Sequence, residues 1–349
     1  MAKESWYINE SELDDFQVQI INKPSDKSFI VQGCAGSGKT ILALWKAKEV
    51  MESNRGSYYV IVFTKALRQF IEDGVKSVGL NTNRVLYHWQ WTKKPVKNVD
   101  YIIVDESQDF TKNQILELKK HANKAVLFYG DSAQQLYKML RDEPTITIEE
   151  MSIATGLQIY QLAYNHRLPR KIARIAEYVT LSDDELTERC RKEGSSKPKI
   201  YEYDSSSEQY KAIIDIIKKR DLTDVGILFS SNQEVKDAYD FFRENNLRVE
   251  AKYDLGHGSE SRMDLDFTTD NPKLITYHSA KGLQFETVFL PGCYKDEERI
   301  RNPLYVAITR TYRDLYIMHT GNLSSFFDSV PIDLFETNDE NDDEIDIEF

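Results

Sequence analysis

The chain has 349 residues, room for two or three domains with sizeable cores, and its 41% hydrophobic content is that of an ordinary globular protein with no apolar run near the ~20 residues of a membrane span. A net charge of −12 does not suit a nucleic-acid binder, but Ile332–Phe349 holds nine acids and no base, and the rest of the chain carries 48 acids against 45 bases. The polar, acidic start, Met1–Asp15, is not a signal peptide, and Cys34, Cys190 and Cys293 lie far apart without metal-ligand spacing, so no disulfide framework or zinc site is expected and a reducing cytoplasm is the expected location.

In chain order, β-rich apolar runs fall at Ser28–Gly33, Tyr58–Phe63, Asp100–Asp105 and Ala125–Asp131, with a helical pattern over Thr40–Ser53. The pattern weakens across Arg141–Gly156. Strand-like runs then return at Val225–Ser230, Leu274–Ser279, Thr287–Gly292 and Asp314–His319, between helical stretches at Arg170–Thr180, Glu208–Lys219 and Gln233–Asn245. Lys192–Lys199 reads as a loop. Alternating strands and helices predict an α/β fold with parallel sheets in two units, 1–150 and 151–331, followed by an acidic, solvated, disordered tail, 332–349.

"GCAGSGKT", Gly33 to Thr40, has the spacing of a phosphate-binding loop and the right context, after a strand and before a helix. Backbone N–H groups of Gly33, Ala35, Gly36, Ser37 and Gly38 would ring the phosphates at a helix N-terminus. Lys39 would reach the β- and γ-phosphates, and Thr40 would hold Mg²⁺. Cys34 reads as a small filler. The run "VDYIIVDESQDF" ends a strand in adjacent acids, costly unless they serve a metal or chemistry. With a phosphate loop in the same unit, Asp105 is the candidate Mg²⁺ ligand and Glu106 the candidate base that orients water.

The wider set resembles superfamily 1 helicases of the UvrD/Rep type. "DESQD" is followed by "GDSAQQLY", and "LDDFQ", "VFTKAL", "VLYHWQW", "LAYNHR", "ITYHSAKGLQFETVFLPG" and "NPLYVAITRTYRDLYI" come in the family's order from about Leu13 to Thr320. The resemblance implies two RecA-like P-loop NTPase domains with ATP in the cleft between them. It implies that Gln17 reads the adenine edge, Gln134 senses the γ-phosphate, and Arg167 and Arg310 are arginine fingers. It also implies movement on single-stranded DNA with 3′-to-5′ polarity.

Several positions depart from the family pattern. His166 stands where an adenine-stacking Tyr is usual, and Gln284 where a Glu near the nucleotide sugar is usual. Only 40 residues separate Thr64 from Asp105 and only 20 lie between Tyr253 and Leu274, too few for the family's two inserted subdomains. Phe63, Thr64, His88, Tyr137, His278 and Lys281 are the nucleic-acid candidates; for Phe63 and His88, core packing serves equally. Trp89–Lys97 mixes tryptophans with lysines, which suits backbone tracking plus stacking as well as it suits solvated lysines over a buried pair. The terminal "DEIDIEF" reads as a solubilising tail or a protein-docking tip. The leading expectation is a Mg²⁺-dependent, nucleic-acid-stimulated ATPase, a minimal translocase on single-stranded DNA or RNA. The alternative is an ATP-driven regulatory subunit gating a protein partner, such as a nuclease, in prokaryotic repair or antiviral defence.

Overall fold

The computed structural model describes residues 13–94, 98–135, 143–180, 185–256 and 260–338. It divides into two compact units, Met1–His166 and Arg167–Phe349.

The first unit is a six-stranded sheet with every pairing parallel: β1 (Phe29–Gly33), β2 (Tyr58–Val62), β3 (Val85–Tyr87), β4 (Val99–Val104), β5 (Ala122–Gly130) and β6 (Ile159–Leu162), in the order β3-β2-β4-β5-β1-β6. Its helices are α1 (Asp15–Ile21), α2 (Lys39–Glu52), α3 (Lys65–Phe70), α4 (Glu72–Ser77), α5 (His88–Thr92), α6 (Lys112–His121) and α7 (Ile148–Thr155). Buried runs such as Tyr101–Val104 and Ala125–Tyr129 lack polar alternation because both faces are covered. Leu42, Ala43 and Ala47 of α2 pack with Val31, Ile103 and Leu127 on one face. Ile115 and Leu118 of α6 and Met151 of α7 pack with Ile30, Ile102 and Phe128 on the other. Parallel strands bring the carboxyl ends of β1 to β5 to one edge, where open α/β sheets bind ligands.

The chain passes between units within β7 (Asn165–Pro169) and continues through α8 (Arg170–Val179), α9 (Leu186–Arg189), β8 (Cys190–Lys192), β9 (Lys199–Glu202), α10 (Ser206–Lys219), β10 (Val225–Phe229) and α11 (Asn232–Glu244). β11 (Glu250–Asp254), β12 (Ser261–Met263), β13 (Lys273–Thr276), β14 (Phe285–Leu290), α12 (Glu298–Ile308) and β15 (Thr311–His319) complete it. The second sheet runs β12-β11-β13-β10-β14-β15-β9, with only the β11–β12 pairing antiparallel. Ile213 and Ile217 of α10 and Val235, Ala238 and Phe242 of α11 cover one face over Ile227, Leu274 and Phe289. The fold is α/β and RecA-like.

Two boundaries differ from the sequence expectation. The units divide at His166/Arg167, not at 150/151, because β6 pairs with β1 and α7 packs on the first sheet. The acidic segment is held at its start: Glu336 accepts from Ile200 N at 2.9 Å and donates to Pro198 O at 3.0 Å, beside the edge strand β9. Residues 339–349 lie outside the described residues, as does Tyr137. Among the described residues no helix is long and apolar enough to cross a membrane, and the three cysteines are buried and unbridged.

Candidate functional site

The loop between β1 and α2 is shaped by its glycines. Gly36 and Gly38 sit at φ +75° and +88°, the left-handed region that a side chain strains to enter. Gly33 has no room for a Cβ, which would meet Ser37 Oγ at 2.5 Å. Lys39 opens α2 and folds back, donating to Gly33 O at 2.7 Å and Cys34 O at 2.9 Å. A phosphate would compete with these carbonyls for the ammonium. The Ser37 hydroxyl is buried without a hydrogen-bond partner among the described residues, a polar atom that a bound anion would satisfy. Gln17 braces the loop from α1, donating from Nε2 to Ser37 O at 3.1 Å and accepting from Asp14 N at 3.2 Å. Adenine reading by this amide would replace bonds it already makes.

Asp105 and Glu106 leave the end of β4 buried. Thr40 Oγ1 donates to Asp105 Oδ2 at 2.7 Å, and Glu106 N donates to Asp105 Oδ1 at 3.0 Å. Burial first, then the neighbouring Glu106 charge, push the Asp105 carboxyl up to about 6, against the pull of Thr40 and Lys39. A buried carboxylate short of positive charge beside a threonine hydroxyl is a fitting donor set for Mg²⁺, which takes one or two carboxylates and leaves other positions to water and phosphate. Among the described residues there is no cluster of three or more His, Cys, Asp or Glu that could hold a metal ion. Glu106 sits at φ +53°, a left-handed conformation that costs a non-glycine residue ~1 kcal/mol or more. The strain aims its carboxylate at Gln108, whose Nε2 donates to Glu106 Oε2 at 2.6 Å.

Gln108 ties this acid to the end of β5. Its Oε1 accepts from Asp131 N at 3.0 Å, and Asp131 Oδ2 accepts from Gln134 Nε2 at 2.6 Å. Gly130 makes room for the link, since a Cβ there would lie 2.8 Å from Gln108 Oε1. The candidate sensor Gln134 is thus linked to the candidate base through the carboxylate and backbone N–H of Asp131 and the side chain of Gln108. Neither Gln108 nor Asp131 was singled out from sequence for a role; the paired "DESQD" and "GDSAQQ" segments were the available signal.

In the second unit, Arg167 donates from Nη1 to Gln284 Oε1 at 2.9 Å and from Nη2 to Thr309 O at 3.2 Å. Arg310 is buried just beyond α12, donating from Nε to Val306 O at 2.8 Å and from Nη2 to Thr309 Oγ1 at 2.9 Å. A cation there also complements the helix C-terminus. Arg167, Gln284, Thr309 and Arg310 therefore form one cluster. His166, in the first unit, is held twice: its ring Nε2 meets Asp14 Oδ2 at 2.7 Å and its N–H donates to Gly36 O at 3.0 Å. Asp14 also caps α1, so the residue in the expected adenine-stacking position is anchored to the phosphate loop and to the helix bearing Gln17. Sequence reading did not foresee Asp14.

The nucleic-acid candidates divide by burial. Phe63 is 9% exposed and stacks on His88 at 6.0 Å, and both meet Phe110 edge-on. Thr64 caps α3, its hydroxyl accepting from Leu67 N at 3.0 Å. Lys281 is 1% exposed, while His278 is half-buried, its pKa lowered by burial and then by Lys281.

The model of the viral superfamily 1 RNA helicase core domain matches residues 29–319, and the chain belongs to that family. Acanthamoeba polyphaga mimivirus R568, which bears the name of an ATP-dependent DNA helicase, is 25% identical over 246 residues, 63% of this chain and 34% of its own. The DNA helicase II of Rickettsia typhi is 39% identical over 72 residues, 16% of this chain and 11% of its own. The chain thus spans about a third or less of the length of these relatives. A solved structure of the PRRSV helicase aligns over 87% of this chain and 54% of its own, with 14% identity and a TM-score of 0.46.

Proposed function

We propose that the chain is a Mg²⁺-dependent ATPase of the UvrD/Rep branch, stimulated by single-stranded nucleic acid and translocating on it. The observation that carries this reading is the 2.7 Å bond between Thr40 Oγ1 and Asp105 Oδ2, beside Lys39 and Glu106. In this reading Thr40 and Asp105 hold Mg²⁺, which when bound neutralises charge on the phosphate oxygens. Lys39 exchanges two loop carbonyls for phosphate oxygens. Glu106, held by Gln108, accepts a hydrogen bond from the attacking water and orients it. Gln134 reports the γ-phosphate back to Glu106 through Asp131 and Gln108. Arg167 and Arg310 are assigned to the developing phosphoryl charge. The mimivirus and rickettsial names favour DNA as the track, whereas the family model is named for RNA helicases.

ATP turnover measured alone, with oligo-dT and with oligo-U tests the proposal. Stimulation by either oligonucleotide is expected; turnover indifferent to both would overturn the motor reading. That second outcome would favour the regulatory-subunit alternative, which draws support from the short path between β2 and β4. There α3, α4, β3 and α5 leave no space for an inserted domain.

A further inference from the structure

The segment from Gly74 to Val99 contains no acid, although the chain as a whole is strongly acidic; it carries Lys76, Arg84, Lys93, Lys94 and Lys97. It includes β3, the edge strand of the first sheet, and α5, which starts at that strand's carboxyl end. Helix α5 holds its two tryptophans differently. Trp91 is 1% exposed and anchors the helix, edge-on to Tyr59 and His121. Trp89 is 56% exposed. Its indole is stacked on Tyr87 at 6.4 Å and 10°, and Lys93 Nζ lies 3.3 Å from the ring centroid. Lys94 and Arg84 stand over the ring of Tyr59, 5.3 and 5.4 Å from its centroid.

This presentation is built. Tyr87 N donates to Gln90 Oε1 at 3.2 Å, fixing the start of the helix, and Arg68 Nε donates to Val85 O at 2.9 Å, fixing the edge strand. The fold holds this indole outward, with the Lys93 ammonium over its face, at the carboxyl ends of the strands where open parallel sheets bind ligands.

We propose that Trp89 is a stacking platform for a base of single-stranded nucleic acid, with Lys93 and Lys94 taking the adjacent phosphates. Charge complementarity selects this occupant: a flat apolar ring face with ammonium groups beside it matches a base and its phosphates. A segment without acids and with one exposed indole under an ammonium gives a base and its phosphates more to hold than it gives a protein helix to bury. Base stacking on an indole outweighs an exposed cation–π contact, so a base displaces the Lys93 ammonium, which then turns to phosphate. The inference rests on the proposed single-strand binding.

Fluorescence anisotropy of labelled dT20 and U20, across a salt series without nucleotide, tests it on the wild type and on Trp89→Ala, Trp89→Phe and Lys93→Ala. Melting temperature and basal ATP turnover serve as controls and are expected to stay at wild-type values in all variants. Trp89→Ala is expected to weaken both oligonucleotides roughly ten- to hundred-fold, since a ring face does not read the sugar, and Trp89→Phe to restore most of the loss. Lys93→Ala is expected to lower the salt slope by about one. Wild-type affinity in Trp89→Ala, or a loss on one sugar only, would overturn the platform and leave single-strand binding standing. A wild type that binds neither oligonucleotide would remove single-strand binding itself.

Discussion

The two units hold their charged groups in opposite ways. At the strand ends of the first unit, Asp105 is buried with its pKa raised to about 6, and Glu106 beside it occupies a strained left-handed backbone. In the second unit, Arg310 and Arg167 rest on carbonyl, hydroxyl and amide oxygens at unstrained helix and strand ends. The first arrangement stores unfavourable energy that a cation and a phosphate would relieve; in the second the guanidinium Nη groups already rest on protein oxygens. Function and stability should therefore separate in the first unit and coincide in the second.

Arg310→Ala breaks that comparison most severely. It removes a proposed phosphoryl contact, takes from the Val306 carbonyl one of its two side-chain donors, the Thr309 hydroxyl remaining at 2.8 Å, and takes from the Thr309 hydroxyl its donor. Turnover is expected to fall by roughly 10³ or more, with melting lowered by several degrees. Normal melting with lost turnover would show that the second cluster is not structural.

Asp105→Asn sharpens the contrast, with the opposite sign on stability. Between pH 3.8, the carboxyl's ordinary pKa, and about 6, the folded carboxyl keeps a proton that the unfolded one has released. Stability is therefore lost as pH rises through that window and stays lowered above it. In magnesium-free buffer at pH 7.5 the Asn variant should be more stable, by up to about 3 kcal/mol, and below pH 4 the gain should vanish. Thermal melts across pH check this; a destabilised Asn variant at pH 7.5 would show that Asp105 is held by favourable contacts. Turnover should nonetheless collapse.

Gln284→Glu is the smallest change. It gives Arg167 a charged acceptor in place of an amide 2.9 Å away. At this half-buried position the ion pair should add no more than ~1 kcal/mol, read as a slight rise in melting temperature. A marked loss of stability would mean that another acid already crowds the site.

Much of this was legible in the sequence because it is local. Apolar runs placed β1, β2, β4 and β5 within a residue or two over most of their ends, and the glycine spacing of Gly33–Thr40 placed the phosphate loop. What escaped depends on contacts distant in sequence. Strand β6 belongs to the first sheet through its register with β1, 129 residues apart at Gln32 and Gln161, which no local pattern carries. The bonds from Gln108 to Asp131 and from Asp14 to His166 join segments whose spacing is set by the sheet. Trp89 and Trp91 are chemically alike, and only the packing of α5 tells anchor from exposed platform.

The central claim is that Glu106, strained and held by Gln108, is the base of an ATP-hydrolysing engine. Steady-state ATP turnover of Glu106→Gln beside the wild type, each with and without oligo-dT, tests it most directly. The account predicts kcat lowered roughly 10²–10⁴-fold, with KM and melting temperature nearly unchanged. Turnover equal to the wild type in both conditions would contradict it.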